Sequence, residues 1–346
     1  MSQYDQPTRY GRIRAPVDAW LAKAPAEPIL EPALPIIDTH HHLWERPDHR
    51  YLLHELLADL NTGHNVVATV FVECHAMYRA SGAVELRSVG ETEFVAGIAA
   101  MSDSGLYGPT RVAAGIVGFA DLTLGDRVEP VLHEHLRAGG GRFRGVRHAA
   151  AWDASEIIGN SATAAGPHLL RQPDFRAGLT RLTALGLSLD AWVFHPQLAD
   201  VVDLARAFPT ANIIVGHCGG PLGYGPYAGK RDEVFTAWKA GIADLARCEN
   251  VTMKLGGMMM RLAALDYGAR PGPRPPPSWP TPGDPISGSA SSASARPAAC
   301  SRATIPSRRW ASAMPRSGTH SSGSRPAPRP RRSSRCSAGR PGAPTA

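Results

Sequence analysis

Seven short and nearly uninterrupted apolar runs alternate with stretches of helical periodicity, and nothing else in the sequence narrows the fold as far. The runs are 35–40 (PIIDTH), 66–74 (VVATVFVEC), 113–122, 143–149, 187–195 (LSLDAWVFH), 212–218 (NIIVGHC) and 251–256 (VTMKLG). Strands covered on both faces read this way, because neither face needs polar residues. Helical patterns lie between them at 91–101, 128–138, 174–185, 198–207 and 233–248. Such alternation predicts an α/β fold with a parallel sheet, a TIM (β/α)8-type barrel one strand short of closure. A doubly wound open sheet is the alternative. It lacks support from a Gly-rich phosphate loop after the first run.

A chain of 346 residues with 43% hydrophobic residues has room for such a core and for extensions at either end. No apolar run approaches the roughly 18–20 residues of a membrane span, and the polar N-terminus has no signal-peptide pattern. Five cysteines, at 74, 218, 248, 300 and 336, show no paired spacing. A cytoplasmic protein is expected, with no membrane partner.

The formal charge of +7 is unevenly spread. From residue 285 onward there are eleven Arg and no Asp or Glu, so the preceding part carries four more acids than bases. That acidic part offers no footprint for nucleic acid, although an arginine-rich tail acting as a nucleic-acid arm is a competing reading. The tail also lacks Leu, Val, Phe, Tyr, Asn and Gln. It cannot bury enough apolar area to offset its ordering entropy, so disorder is expected. Its residue set is what a GC-rich coding region yields when read out of frame. The resulting division is an arm over 1–33, a barrel over 34–275 and a low-complexity tail over 276–346.

Chemistry concentrates at the ends of the runs. In Asp38-Thr39-His40-His41-His42, strand alternation puts His40 and His42 on one face with Asp38, and His41 on the other. His195 and His217 end the fifth and sixth runs. In a barrel these ends meet at one mouth, where imidazoles can share a metal ion or simply hydrogen-bond to one another. Arg144, Arg147 and His148 on the fourth run are candidates for holding a substrate carboxylate, or for ion pairing with Glu73 or Asp190. Glu73 and Lys254, on the second and seventh runs, are candidates for contacting the substrate, backing the site or acting as a base, with a salt bridge as the alternative. His133 and His135 are assigned to a solvent-facing helix side, and Met258–Met260 to loop packing.

Taken in order, IIDTHHHLW, VFVEC with AMYR, RFRGVRHA, WVFHPQ, VGHCGGPLG and MKLGG resemble the amidohydrolase-related family often called amidohydrolase 2, over roughly 34–275. The resemblance implies a distorted (β/α)8 barrel and a hydrolase that drives an activated water onto a lactone, ester or amide carbonyl. It implies His40, His42 and His195 as ligands of a divalent metal, zinc first, with His217 beside the metal or substrate; His217 and His195 are the catalytic candidates, His217 as the base or substrate contact. Some relatives bind no metal and others decarboxylate. The implied ligand is a small molecule, and a homo-oligomer is compatible.

This chain departs from the family pattern in lacking an eighth-strand acid. Shifting the tail by one nucleotide admits strings such as MFESN over 300–304 that resemble the missing strand, with Asn where relatives carry Asp. A barrel left defective and inactive by the frame change is therefore the competing expectation.

Overall fold

The computed structural model describes residues 31–257 except 47–48 and 159–164, together with residues 19, 22, 23 and 29 and the strand Thr304–Pro306. Seven parallel strands stand in sequence order: β1 (Ile36–His41), β2 (Val66–Val72), β3 (Arg111–Gly118), β4 (Phe143–Arg147), β5 (Ser188–Ala191), β6 (Ile213–Val215) and β7 (Val251–Lys254). Every one of the seven apolar runs is a strand, and each except the first ends before its apolar run does. The last residues of those runs leave the ladder and continue as turns and loops.

The crossovers carry α1 (Leu53–Leu60), α2 (Val89–Asp103), α3 (Glu129–Ala138), α4 (Pro173–Ala184), α5 (Leu198–Ala207) and α6 (Arg231–Leu245). The sequence reading missed α1, whose eight residues follow directly on a small hairpin of Trp44–Arg46 and His49–Tyr51. The sheet curls strongly, since Lys254 Nζ on β7 comes within 3.5 Å of His40 Nδ1 on β1, at the opposite margin of the parallel set.

The outer edge of β7 is taken by β8 (Thr304–Pro306), which runs antiparallel with Lys254 opposite Thr304. An edge strand presents unpaired backbone groups that a short extended segment can satisfy. The eighth strand of a barrel would run parallel, so among the described residues the barrel is not closed by one. The expected tail over 276–346 lies outside the described residues apart from β8, as do Met258–Met260 and nearly all of the arm over 1–33.

The main core lies between sheet and helices, where Phe143, Phe175, Leu122, Leu132, Leu179 and Leu182 are fully buried. Close approach there depends on glycine at one point. A Cβ on Gly178 of α4 would stand 2.2 Å from the Leu122 carbonyl oxygen.

His135 corrects the sequence reading. Its ring is fully buried, stacked on Phe143 at 4.9 Å, with Nε2 donating to the Phe119 carbonyl at 2.9 Å and Nδ1 bonded to Thr92 Oγ1 at 2.8 Å. Polar partners on both ring nitrogens make burial tolerable on a helix whose sequence suggests a wet face. His133 is exposed, as expected.

Candidate active site

Three of the four strand-end imidazoles meet. The ring of His40 lies 4.9 Å from that of His42 and 4.8 Å from that of His217. His41, on the opposite face, bonds Thr69 Oγ1 at 2.9 Å and packs edge-on against Phe71. The alternation read from the sequence thus sorts the triplet.

The hydrogen bonds of the pair fix its proton positions. His42 Nδ1 is 2.7 Å from the Val72 carbonyl oxygen, which can only accept, so the proton sits on Nδ1 and neutral His42 has a lone pair on Nε2. At the other end Lys254 Nζ, which as an ammonium can only donate, faces His40 Nδ1 at 3.5 Å. His40 therefore carries its proton on Nε2 and donates it to His42 Nε2 across 3.2 Å.

Beneath the pair, Lys254 Nζ is held by Asp190 Oδ2 at 2.6 Å, and both side chains are almost wholly buried. Asp190 and Arg147 are directly paired in the β4–β5 register. Arg147 in turn bonds Glu73 through Nε, 2.5 Å from Oε1, and through a second nitrogen to the Glu73 carbonyl. Burial opposes the charge on Arg147, but Glu73 and then Asp190 outweigh it and raise its pKa. His75 Nε2 lies 3.3 Å from the other Glu73 oxygen.

His217 stands on a left-handed turn. His217, Cys218, Gly219 and Gly220 all have positive φ, between 50° and 70°. Two consecutive non-glycine residues there cost on the order of 1–3 kcal/mol each, and such strain persists only where the surroundings enforce it. Trp238 Nε1 donates to the Cys218 carbonyl at 2.7 Å, and the Cys218 thiol donates to the Leu255 carbonyl at 3.0 Å. The result is a His217 ring pressed between His40 and Trp192, with Trp192 edge-on at 4.7 Å. Sequence reasoning missed Trp192, although it lies within the WVFH string that ends the fifth run.

His195 does not join the trio. Its ring packs edge-on against Tyr227 at 5.1 Å, and its Nδ1 accepts from the Leu222 amide at 3.4 Å. Burial lowers its pKa to about 4, against a smaller opposing pull from Asp153. The reason for its placement is local. β5 ends at Ala191, and His195 opens the turn His195–Gln197 instead of extending the strand.

His148 is likewise placed elsewhere, packed against Phe119 and Phe175 with Nδ1 accepting from the Leu122 amide. Burial takes its pKa to about 4, opposed by Asp121. Arg144 is exposed, about 10 Å down the strand from Arg147 at the usual rise, with its guanidinium on the Phe143 carbonyl. It is not at the mouth.

The implied metal finds only part of its ligand set. Two imidazole nitrogens 3.2 Å apart match the roughly 3.3 Å that separates two ligands of a tetrahedral zinc ion. The third expected ligand, His195, is not beside them, and the acids Glu73 and Asp190 are engaged by Arg147 and Lys254. Among the described residues no group of three His, Cys, Asp or Glu side chains is placed to hold a metal ion. The described residues do not fit the metal.

The sequence matches the family model for amidohydrolases over residues 37–284. The chain belongs to the amidohydrolase family. This amidohydrolase is 28% identical over 249 residues to the uncharacterized protein y4mH of Sinorhizobium fredii, covering 65% of this chain and 73% of that one. Among solved structures it resembles an amidohydrolase from Burkholderia multivorans with bound zinc, at 23% identity and a TM-score of 0.46, covering 64% of this chain and 69% of that one. It also resembles a probable 2-pyrone-4,6-dicarboxylic acid hydrolase from Acinetobacter baumannii with citric acid bound, at 14% identity and a TM-score of 0.41, covering 64% and 70%. No helix among the described residues of this amidohydrolase is long and apolar enough to cross a membrane.

Proposed function

We propose that this amidohydrolase adds water to the carbonyl of a small molecule, a lactone in the first place and an ester or amide in the second, at the His40–His42–His217 cluster. The ligand in this reading is neither a nucleic acid nor a membrane, and the reaction is cytoplasmic. The observation that carries it is the 3.2 Å contact between the two Nε2 atoms, whose donor direction is fixed from both ends by Lys254 and the Val72 carbonyl.

In this reading the two rings move apart by about 2 Å on binding, and a water between them accepts from His40 Nε2–H and donates to His42 Nε2. His42 takes the proton as the water attacks, the Val72 carbonyl bonded to its Nδ1–H stabilises the imidazolium that forms, and His42 returns that proton to the leaving oxygen or nitrogen as its bond to the carbonyl carbon breaks. His217, on the other side of His40, faces the carbonyl and orients it. No step is assigned to zinc, because the described residues do not supply its ligand set.

Acid release from a panel of lactones and aryl esters, followed by pH-stat, and amine release from small amides test the reading. Lactones should be opened fastest, and His42→Asn should lower kcat by roughly 10²–10⁴-fold, the usual worth of a positioned base. No acid or amine release from any compound would overturn it. Treatment with a chelator should leave the rate unchanged, and metal analysis should find well under one zinc per chain. A stoichiometric zinc whose removal abolishes hydrolysis would sink the assignment of His42 as the base.

A further inference from the structure

The turn that carries His217 is held against its own backbone preference. His217 and Cys218 stand at φ +50° and +55°, and Gly219 and Gly220 continue the left-handed run. Strain of this kind persists only where neighbouring groups enforce it, so whatever holds the turn also aims the His217 ring. Two restraints come from neighbouring strand ends. The His195 amide donates to the Gly220 carbonyl at 3.1 Å, and the Cys218 thiol donates to the Leu255 carbonyl at 3.0 Å.

Another restraint comes from α6, a crossover helix. Trp238 is 3% exposed, and its Nε1 donates to the Cys218 carbonyl at 2.7 Å. Three residues further along α6, and so on the same helical face, is Gly241. A Cβ on Gly241 would stand 2.8 Å from Leu198 Cδ1, and a Cβ on Gly219 would stand 2.7 Å from Leu198 Cδ2. Leu198 is thus wedged between α6 and the turn, and glycine on both sides lets the helix come close enough for the indole to reach. Removing the indole N–H takes this donor from a buried carbonyl and lets Cys218 relax toward an ordinary φ, which swings the residue before it.

We infer that Trp238 is a positioning residue for the hydrolysis, acting through the Cys218 carbonyl to keep the His217 ring against His40. The inference rests on the hydrolase reading above and extends its machinery to a crossover helix.

Two replacements test it in the full chain. Trp238→Phe keeps an apolar ring without the N–H, and benzothienylalanine at 238 keeps the indole shape as well, with sulfur where the N–H was. Both should lower kcat for lactone opening by roughly tenfold or more, since small displacements of a reacting group are costly. KM should stay close to wild type, because the lost interaction is felt in the transition state. The His217 ring signals in a proton–nitrogen correlation spectrum of histidine-labelled protein, assigned by their loss in His217→Asn, should shift, and those of His135 should not. Ile242→Val trims the same buried helix face without touching the hydrogen bond and should keep wild-type kcat. A benzothienylalanine variant with wild-type kcat, or with lowered kcat and unshifted His217 signals, overturns the inference, as does an equal loss of kcat in Ile242→Val. If Trp238→Phe does not fold, the isosteric variant decides alone. A wild-type chain that opens no lactone fails the hydrolase reading instead, so the two failures are distinguishable.

Discussion

Gly257→Ala is expected to lower kcat/KM for lactone opening by 10²-fold or more while leaving the barrel folded. The residue lies just beyond β7 with φ at +87°, and a Cβ there would stand 2.4 Å from His217 Nδ1 and 2.9 Å from its Cβ and Cγ. Contacts that short cannot persist, so the His217 ring has to move. It is boxed in by His40 at 4.8 Å and Trp192 at 4.7 Å, and the left-handed turn beneath it leaves the backbone little freedom to compensate. Misplacement of a reacting group by about 1 Å is enough to cost two orders of magnitude.

Alanine at positive φ also carries a backbone penalty, and a matched control separates the two effects. Gly82 has φ at +88° with nothing within 4 Å of a Cβ, so Gly82→Ala should show the same loss of melting temperature with full activity. Steady-state kinetics and thermal melts on both variants make the check. Wild-type kcat/KM in Gly257→Ala would remove His217 from the reaction centre.

That prediction rests on a glycine the sequence did not single out, and the reason shows where legibility stops. Strand identity and order were readable, because seven continuous apolar runs leave few other solutions and the period-2 rule separates His41 from His40 and His42 without coordinates. The destinations of His195 and Arg144 were not. Both depend on where a strand begins or ends: β5 stops at Ala191, four residues before His195, and Arg144 belongs to the far end of β4.

The partners of the charged residues were readable only as alternatives. A sequence places Arg147 and Glu73 on the fourth and second apolar runs but cannot say which of the charged residues the curl of the sheet brings together. His135 was misassigned for a related reason. Periodicity describes one helix, whereas the pocket that buries this ring is made by Thr92, Phe119 and Phe143 from three other parts of the chain. The space near it exists because Gly118 has no side chain; a Cβ there would lie 2.9 Å from Phe143 Cε2.

Those buried imidazoles make a sharp dependence of stability on pH the second large expectation. His135, His148 and His195 each have a pKa near 4 in the folded chain, lowered mainly by burial from the ordinary 6.5. Between those values the unfolded chain binds protons that the folded chain refuses, so stability is complete above about pH 6.5 and is lost as the pH falls toward 4. Each tenfold difference in proton affinity between the two states is worth about 1.4 kcal/mol. All three imidazoles act in the same direction, so their losses of stability add as the pH falls.

Glu91 acts with the opposite sign. Burial first, and Glu73 second, raise its pKa to about 8 from 4.5, against the amides of Cys74 and Ala76 that donate to it at 2.9 and 2.8 Å. The folded chain then holds a proton that the unfolded chain has already released, so stability declines as the pH rises from about 4.5 to 8. Below pH 6.5 three imidazoles outweigh this single carboxyl, whereas above it the carboxyl acts alone. The melting temperature should therefore peak near pH 6.5, fall gently toward 8 and collapse before pH 4. Glu91→Gln keeps an amide oxygen for the two backbone donors and has no charge to bury. It should flatten the alkaline side and leave the acid side as it was, and a decline above pH 6.5 as steep as in the wild type would show that another group governs it.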